Sequence, residues 1–329
     1  MTIEAYDKLD IYTKALRIRM IEQEIAARYP EQEMRCPVHL SIGQEANAVI
    51  MAKQLTHLDS MVSTHRGHAH YLAKGGSLVG LIGELYGKSI GCSRGFGGSM
   101  HLTDPDCNFV GSTSIVGGTI PVGVGVAFAN KLKKKKLITA VCIGDAAIEE
   151  GVFHESANFA GLHKLPVVFF VENNLYSCFT HISKRQPERN IGASSLKFTA
   201  RAHGLRHLQI HSENYYDGYK ALGIAINSMR KDENYCPLFV EIDTYRFVEH
   251  CGPSNDDHLN YRAESEIRHA TTFDPINVFE KYLRGIGFLN DDSLKVLRNK
   301  IHKEISEAFN QVKDSYAPSR SNMGDYLYA

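Results

Sequence analysis

The sequence has no excess of charge of either sign. It contains 37 lysines and arginines against 37 aspartates and glutamates, so its formal net charge is zero. Because nucleic acids and anionic membrane surfaces attract basic proteins, this balance argues against a general binder of either. No apolar run approaches the roughly 18 residues of a membrane helix, and the first residues lack the basic-then-apolar pattern of a signal peptide.

Paired cysteine motifs are also absent. The chain has seven cysteines, an odd number, and none of them stands in a CxxC pair. A disulfide scaffold and a zinc ribbon both need paired thiols, so this usage argues against both classes. We expect reduced thiols in a cytoplasmic protein.

The apolar pattern that is present predicts an α/β fold, with a parallel sheet flanked by helices. Residues 7–29 have helical periodicity, a second helix starts near Ser41 and continues to residue 55, and residues 77–85 form a short third one. Nearly continuous apolar runs at 137–143 and 167–171 predict parallel strands covered on both faces, and 238–245 predicts another. We expect one domain over residues 1–329, with a helical segment at about 1–36 and a helical C-terminal extension at about 255–329.

Small residues recur every fourth position after a glycine-rich loop at 91–101. Gly117, Pro121, Gly125 and Ala129 would form a stripe on one helix, either packed internally or forming an oligomer contact. The lysine cluster that follows, at 131 and 133–136, is typical of a solvated helix end, where cations suit the helix dipole.

Oxygen ligands follow two neighbouring predicted strands. The first run ends in Gly144-Asp145, and the second ends in Glu172-Asn173-Asn174. A right-handed crossover sets the two strand tips side by side, at the edge where open α/β sheets bind ligands. Asp145 offers a charge and Asn174 a neutral carbonyl, which suits Mg²⁺ shared with a diphosphate. Each dipeptide alone is more often a simple turn; the ordered combination indicates the site.

This combination resembles the thiamine diphosphate fingerprint, with Ala146 in place of its second glycine. Four further motifs occur in order: HLSIGQEA at 39–46, HRGH at 65–68, GGSMH at 97–101 and IVG at 115–117. Together they resemble the alpha subunit of the decarboxylating component of 2-oxo acid dehydrogenases, of which the pyruvate, branched-chain and acetoin enzymes are known branches. The resemblance covers roughly residues 8–315 and implies a thiamine diphosphate-binding fold.

The resemblance implies a role for each matching residue. Asp145, Asn174 and the Tyr176 carbonyl would ligate Mg²⁺, and Arg66 would pair with the diphosphate. His250, His65 and His39 would be the catalytic histidines, with His65 standing where many members have tyrosine. Further cofactor contacts are implied at Ser114, Val116, Gly144, Ala146 and Ala147, and also at His65 and His250.

The resemblance also implies a partner. The glutamate that activates the cofactor comes from a beta subunit in these two-chain enzymes, so we expect an α2β2 assembly that decarboxylates a 2-oxo acid. The acyl group would pass to a lipoyl acyltransferase. Residues 251–258 differ from the family's usual loop, which leaves open a non-lipoyl carboligase or a split transketolase-like subunit.

The sequence leaves two other hypotheses open, a zinc site and a non-catalytic subunit. His65, His68 and His70 are candidate zinc ligands, although no cysteine joins them. A non-catalytic regulatory subunit that retains a diphosphate pocket is the alternative from another class, against which Asp145, Asn174 and Arg66 together argue.

Overall fold

The computed structural model describes residues 3–187, 195–232 and 234–319. The helices are α1 Ile3–Arg28, α2 Glu45–Lys53, α3 His68–Lys74, α4 Leu78–Leu85, α5 Thr119–Leu132, α6 Gly151–Leu162, α7 Ser195–Ala202, α8 Tyr215–Lys231, α9 Glu264–Thr272, α10 Pro275–Gly285 and α11 Asp291–Lys313. The strands are β1 Ser60–Ser63, β2 Phe109–Ser112, β3 Thr139–Gly144, β4 Val167–Asn173, β5 Tyr176–Ser177, β6 Thr180–His181, β7 Arg206–Ile210 and β8 Leu238–Asp243.

A six-stranded sheet with the order β2-β1-β3-β4-β8-β7 forms the centre, and all its neighbouring strands run parallel. Gly144 of β3 is in register with Glu172 of β4, and Asn173 with Asp243 of β8. The tips of β3 and β4 therefore end side by side, as the sequence predicts. The predicted α/β class with a parallel sheet flanked by helices is confirmed.

Alternate residues of the central strands face two different helical layers. Ala140 and Cys142 of β3 belong to the core shared with α1, α2, α4, α8, α10 and α11. Val141 and Ile143 belong to the core shared with α5, α6 and α7. Since both faces are buried, the strands need apolar residues at every position, which explains the continuous runs.

The C-terminal helices pack back onto the N-terminal part of the chain. The side chain of Arg17 on α1 binds Glu304 on α11, and Arg19 binds both Glu45 and Asp274. Helix α11 also packs on α4. The C-terminal region is helical, as expected; that the whole chain is one domain stays a prediction. None of the described helices is both long and apolar enough to span a membrane.

The predicted stripe of small residues is partly wrong. Gly117 lies before α5 with φ 77°, so it is outside the helix. Pro121 and Gly125 face solvent, and a Cβ on Gly125 would meet nothing within 4 Å. The closely packed glycine is instead Gly123, where a Cβ would collide with Val141 of the sheet.

Candidate active site

The carboxyl edge of the sheet brings together most of the residues that the sequence singles out. The loops after β1, β3, β4 and β8 surround a cavity of about 160 Å³ there. The predicted residues lining it are His65, Arg66, Val116, Gly144, Asp145, Ala146, Ala147, Asn174, Tyr176 and His250. Open α/β sheets bind ligands at this edge, so the position marks it as the candidate site.

Arg66 is the buried cation of this cavity. It donates from Nη1 to the Leu40 carbonyl at 2.7 Å and from Nη2 to the His250 carbonyl at 2.9 Å. Within the described residues it makes no ion pair with an acid. Burial, and then the nearby Arg246, lowers the pKa of Arg66 to about 10. The guanidinium is thus charged at neutral pH, and its fork of donors suits phosphate oxygens.

Three imidazoles face one another beside Arg66. The ring centroids of His39 and His65 lie 4.8 Å apart, and His250 lies 5.5 Å from His39 and 5.4 Å from His65. Burial, and then Arg66, lowers the pKa of His39 and His65 to about 3 and that of His250 to about 4. All three are therefore neutral at pH 7, and each can donate a hydrogen bond from one ring nitrogen and accept one at the other.

The loop that positions His250 is closed by tight backbone contacts. Gly252 forms a β-bridge with His39, and its N–H donates to the Val38 carbonyl at 2.9 Å. Its φ of 123° is in the region that favours glycine, and a Cβ there would collide with Glu249. The loop at 251–258, which differs from the family's usual pattern, is thereby fastened to the histidine cluster.

Asp145 and Asn174 lie at the adjacent strand tips, as predicted. The Asp145 carboxylate forms an ion pair with Arg185, which also binds Glu149. Burial raises the pKa of Asp145 to about 6, although Arg185 opposes this shift. The Asn174 Oδ1 accepts the Tyr176 N–H at 2.8 Å, and a carbonyl oxygen has a second lone pair for a further partner.

Ala146 causes no backbone strain at this turn. It is not among the described residues with positive φ, so the glycine of the usual fingerprint is not needed here for its conformation. A short 3-10 segment, Asp145–Glu149, follows the strand before α6 begins. Helix α6, which crosses over between the two strands, has 12 residues.

Several cavity residues were not among those predicted. Gln44, Thr64, Glu172, Ser177 and Cys178 also line it. Burial raises the pKa of Glu172 to about 8, and its Oε1, like Gln44 Oε1, is buried without a hydrogen-bond partner in the described part of the chain. Such atoms are costly unless a ligand satisfies them, so the cavity is built for a polar one.

The other predicted residues lie apart from the cavity lining. Ser114 is on the β2–α5 loop, where its N–H donates to the His101 ring at 3.3 Å. His68 binds Glu22 and Ser99, and His70 binds Ser63, so His65, His68 and His70 do not converge as zinc ligands. The nitrogens of His39, His65 and His250 do lie within 4.8 Å of one another, but Arg66 disfavours a metal cation among them.

This arrangement defines an α/β enzyme that binds a phosphorylated cofactor. A guanidinium without an acidic partner suits a diphosphate, Asp145 and Asn174 suit a divalent cation, and neutral imidazoles suit hydrogen bonding to a polar ligand.

Within this class, the chain is similar in sequence to the members of one enzyme family. The chain belongs to the dehydrogenase E1 component family, whose model matches residues 13–320. It is 33% identical over 315 residues to the pyruvate dehydrogenase E1 component subunit alpha of Rickettsia bellii, covering 95% of this chain and 93% of that relative. It is 33% identical over an alignment of 343 residues to subunit alpha-3, chloroplastic, of Arabidopsis thaliana, covering 100% of this chain and 76% of the relative.

A rice relative gives the same result. Subunit alpha-1, mitochondrial, of Oryza sativa subsp. japonica is 33% identical over 320 residues, covering 94% of this chain and 77% of its own length. The chain is therefore of the alpha-subunit type of thiamine diphosphate-dependent 2-oxo acid dehydrogenases. The unpaired Arg66 and the unsatisfied buried polar atoms fit that cofactor.

Proposed function

We propose that the chain binds thiamine diphosphate and Mg²⁺ at the carboxyl-edge cavity and decarboxylates a pyruvate-like 2-oxo acid as part of an α2β2 enzyme. The observation that carries the proposal is the buried Arg66, held by neutral carbonyls beside a carboxylate and an amide at adjacent strand tips. The relatives named as pyruvate dehydrogenase subunits support pyruvate as the first substrate to test. One α/β domain and a cytoplasmic location stay predictions.

Each side chain has a definite task in this proposal. Asp145, Asn174 and the Tyr176 carbonyl hold the magnesium ion, while Arg66 holds diphosphate oxygens. Gly144 has open space where a Cβ would stand, and Ala146 and Ala147 are small, so phosphate can approach the backbone. When bound, thiamine diphosphate supplies the electron sink that the decarboxylation of a 2-oxo acid needs.

The hydrogen bonding of Arg66 indicates the proton position on His250. Arg66 Nη2 lies 3.4 Å from His250 Nδ1, and a guanidinium can only donate. Nδ1 is therefore the acceptor, and the proton of neutral His250 is on Nε2. His250 can thus donate a hydrogen bond from Nε2 to the diphosphate or substrate, while His39 and His65, the other two proposed catalytic histidines, offer neutral hydrogen-bonding groups next to it.

Exposed apolar residues around the cavity support a partner subunit. Ile115 is 68% exposed, Val116 47% and Phe179 53%, and all three lie in or near the loops that surround the site. Val122 adds to the open face of α5, next to Pro121 and Gly125. An apolar rim of this kind is typical of a protein interface, and a beta subunit docked there would supply the activating glutamate.

The assay for this function uses the chain copurified with its beta partner. We expect release of carbon dioxide from pyruvate or another short 2-oxo acid, together with acylation of a lipoyl domain. Both products are measured in one reaction by carbon dioxide trapping and mass spectrometry of the lipoyl domain. Formation of a new carbon–carbon bond without lipoyl acylation would contradict the dehydrogenase and favour the carboligase.

Cofactor binding is expected to weaken at acid pH. Burial raises the pKa of Asp145 to about 6, so the carboxylate is ionised above that pH and protonated below it, and a metal ligand must be ionised. Between pH 7 and pH 5 we expect the Kd of magnesium thiamine diphosphate to rise about tenfold, beyond the weakening of the metal–cofactor complex itself. Calorimetry at matched free metal measures this rise, and equal Kd values at the two pH values refute the assignment.

A further inference from the structure

A second cavity lies at the opposite edge of the sheet from the candidate active site. It measures about 220 Å³ and lies between the C-terminal ends of α5 and α8 and the segments that lead into β3 and β4. The length of β3 separates the two cavities by roughly 20 Å. We call it the lysine cavity, after the lining residues Lys131, Lys134, Lys135, Lys136 and Lys164.

The lysine cavity has a large excess of positive charge. Its one arginine, Arg230, is neutralised by the buried Asp59, with Nη1 to Oδ1 at 3.0 Å. Among the residues that the structure describes, Asp232 is the only acid that lines the cavity, and its Oδ1 already accepts the Asn234 N–H at 2.9 Å. Within that part of the chain five lysines therefore line the cavity together with a single carboxylate outside the Arg230 ion pair, an arrangement that concentrates anions.

Backbone contacts hold part of this charge in place. Lys131 Nζ donates to the carbonyls of His163 at 2.6 Å and Lys164 at 3.1 Å, which ties the end of α5 to the loop before β4. Lys134, Lys135 and Lys136 are exposed and form no ion pair within the described residues, so their ammonium groups are available to a ligand.

The floor of the lysine cavity is apolar. Leu137, Ile138, Pro166, Met229 and the ring of Tyr235 line it. The Tyr235 hydroxyl is buried and has no hydrogen-bond partner among the residues that the structure describes. A solvated helix end explains exposed lysines, but not a concave apolar floor or a buried hydroxyl without a partner.

We propose that the lysine cavity binds a nucleoside di- or triphosphate. The lysines would hold the phosphates as point charges, the apolar floor would take the base, and the Tyr235 hydroxyl would gain a hydrogen bond. The bases of a double-stranded nucleic acid are paired and stacked, so they do not enter the cavity, and the neutral net charge of the chain does not favour a long polyanion.

The test is a calorimetric titration of ADP into the full chain saturated with thiamine diphosphate and Mg²⁺. Saturation fills the active site, so that ADP cannot bind there through its diphosphate. We expect one ADP per chain with a Kd on the order of 10–100 µM, and inorganic pyrophosphate binding at least about tenfold more weakly because it lacks the base. No saturable binding, or pyrophosphate binding as tightly as ADP, overturns the proposal.

Variants assign the binding to this cavity. The double variant Lys134→Gln/Lys135→Gln should raise the Kd of ADP at least about tenfold, and Tyr235→Phe about threefold. The matched control Lys295→Gln/Lys300→Gln, at exposed positions on α11, should leave it unchanged. An equal loss in the control overturns the proposal.

A further variant separates this proposal from the proposed function. Asp145→Ala damages only the active-site cavity, so ADP should bind this variant with an unchanged Kd even if its cofactor affinity is lost. Loss of ADP binding in Asp145→Ala would place ADP in the active site and overturn the proposal.

Discussion

Asp145→Ala is expected to abolish magnesium-dependent binding of thiamine diphosphate. Asp145 would be the only charged protein ligand of the metal, and it lies buried at the tip of β3. Because even the outer-shell partners of metal ligands typically contribute 10–100-fold to affinity, losing the ligand itself should raise the Kd by more than about a hundredfold. Calorimetry with excess Mg²⁺ measures the change.

A matched control separates this effect from loss of structure. Asp292→Ala removes an exposed aspartate at the start of α11 and should bind the cofactor as the unchanged chain does. Circular dichroism of both variants checks the fold, since Asp145→Ala also frees Arg185. Cofactor affinity within a factor of about three of the unchanged chain would show that the metal site is elsewhere.

Arg66→Ala is expected to weaken cofactor binding by roughly a hundredfold, because the proposed pair of charge-assisted hydrogen bonds to the diphosphate would be lost. Its guanidinium also donates to the His250 carbonyl, so the loop carrying His250 loses an anchor and turnover should fall further. Arg66→Lys keeps the charge but not the fork, and we expect it to lose about tenfold.

The Arg66 series has its own control. Arg268→Ala removes an exposed arginine that pairs with Glu264 on α9, and it should change neither affinity nor turnover. If Arg66→Lys loses as much cofactor affinity as Arg66→Ala, the forked hydrogen bonds of the guanidinium, and not its positive charge, hold the diphosphate. If neither variant changes the Kd, Arg66 does not bind the diphosphate.

The central strands and the site at their tips could be predicted because their signals are local. Strands β3 and β4 are buried on both faces, which forces continuous apolar runs, and Asp145 and Asn174 follow directly. The helix predicted at residues 77–85 is observed as Leu78–Leu85, with the Ser77 side chain accepting the Gly80 N–H at its start. A helix cap of this kind can also be predicted, because it depends on residues that are close together in the sequence.

Elements that depend on long-range pairing were missed. Strands β1, β2 and β7 are only four or five residues long, and β1 is a strand because it pairs with β2 on one side and β3 on the other. Such short segments have little periodicity to detect. The predicted strand at 238–245 ends two residues earlier, at Asp243, where the pairing with β4 ends.

The site residues also divide into those with a local sequence signal and those that only the fold brings together. Arg185 lies 40 residues beyond Asp145 in the sequence, and only the fold brings the two side chains together. No local motif therefore predicts this ion pair. Glu172 is visible in the sequence as the residue before Asn173, but its role in the cavity depends on burial that only the structure shows. The family resemblance implied a role for each of His39, His65 and His250 separately. That the three rings contact one another could not be predicted, because three separate loops must meet to bring them together.

The most direct test is the structure of the chain with its beta partner, thiamine diphosphate and Mn²⁺ in place of Mg²⁺. The anomalous signal of manganese locates the metal independently of the protein density. We expect the metal on Asp145, Asn174 and the Tyr176 carbonyl, with the diphosphate on Arg66 and a partner glutamate at the cofactor ring. Metal at any other position, or a cofactor enclosed by this chain without contact from the partner, would contradict it.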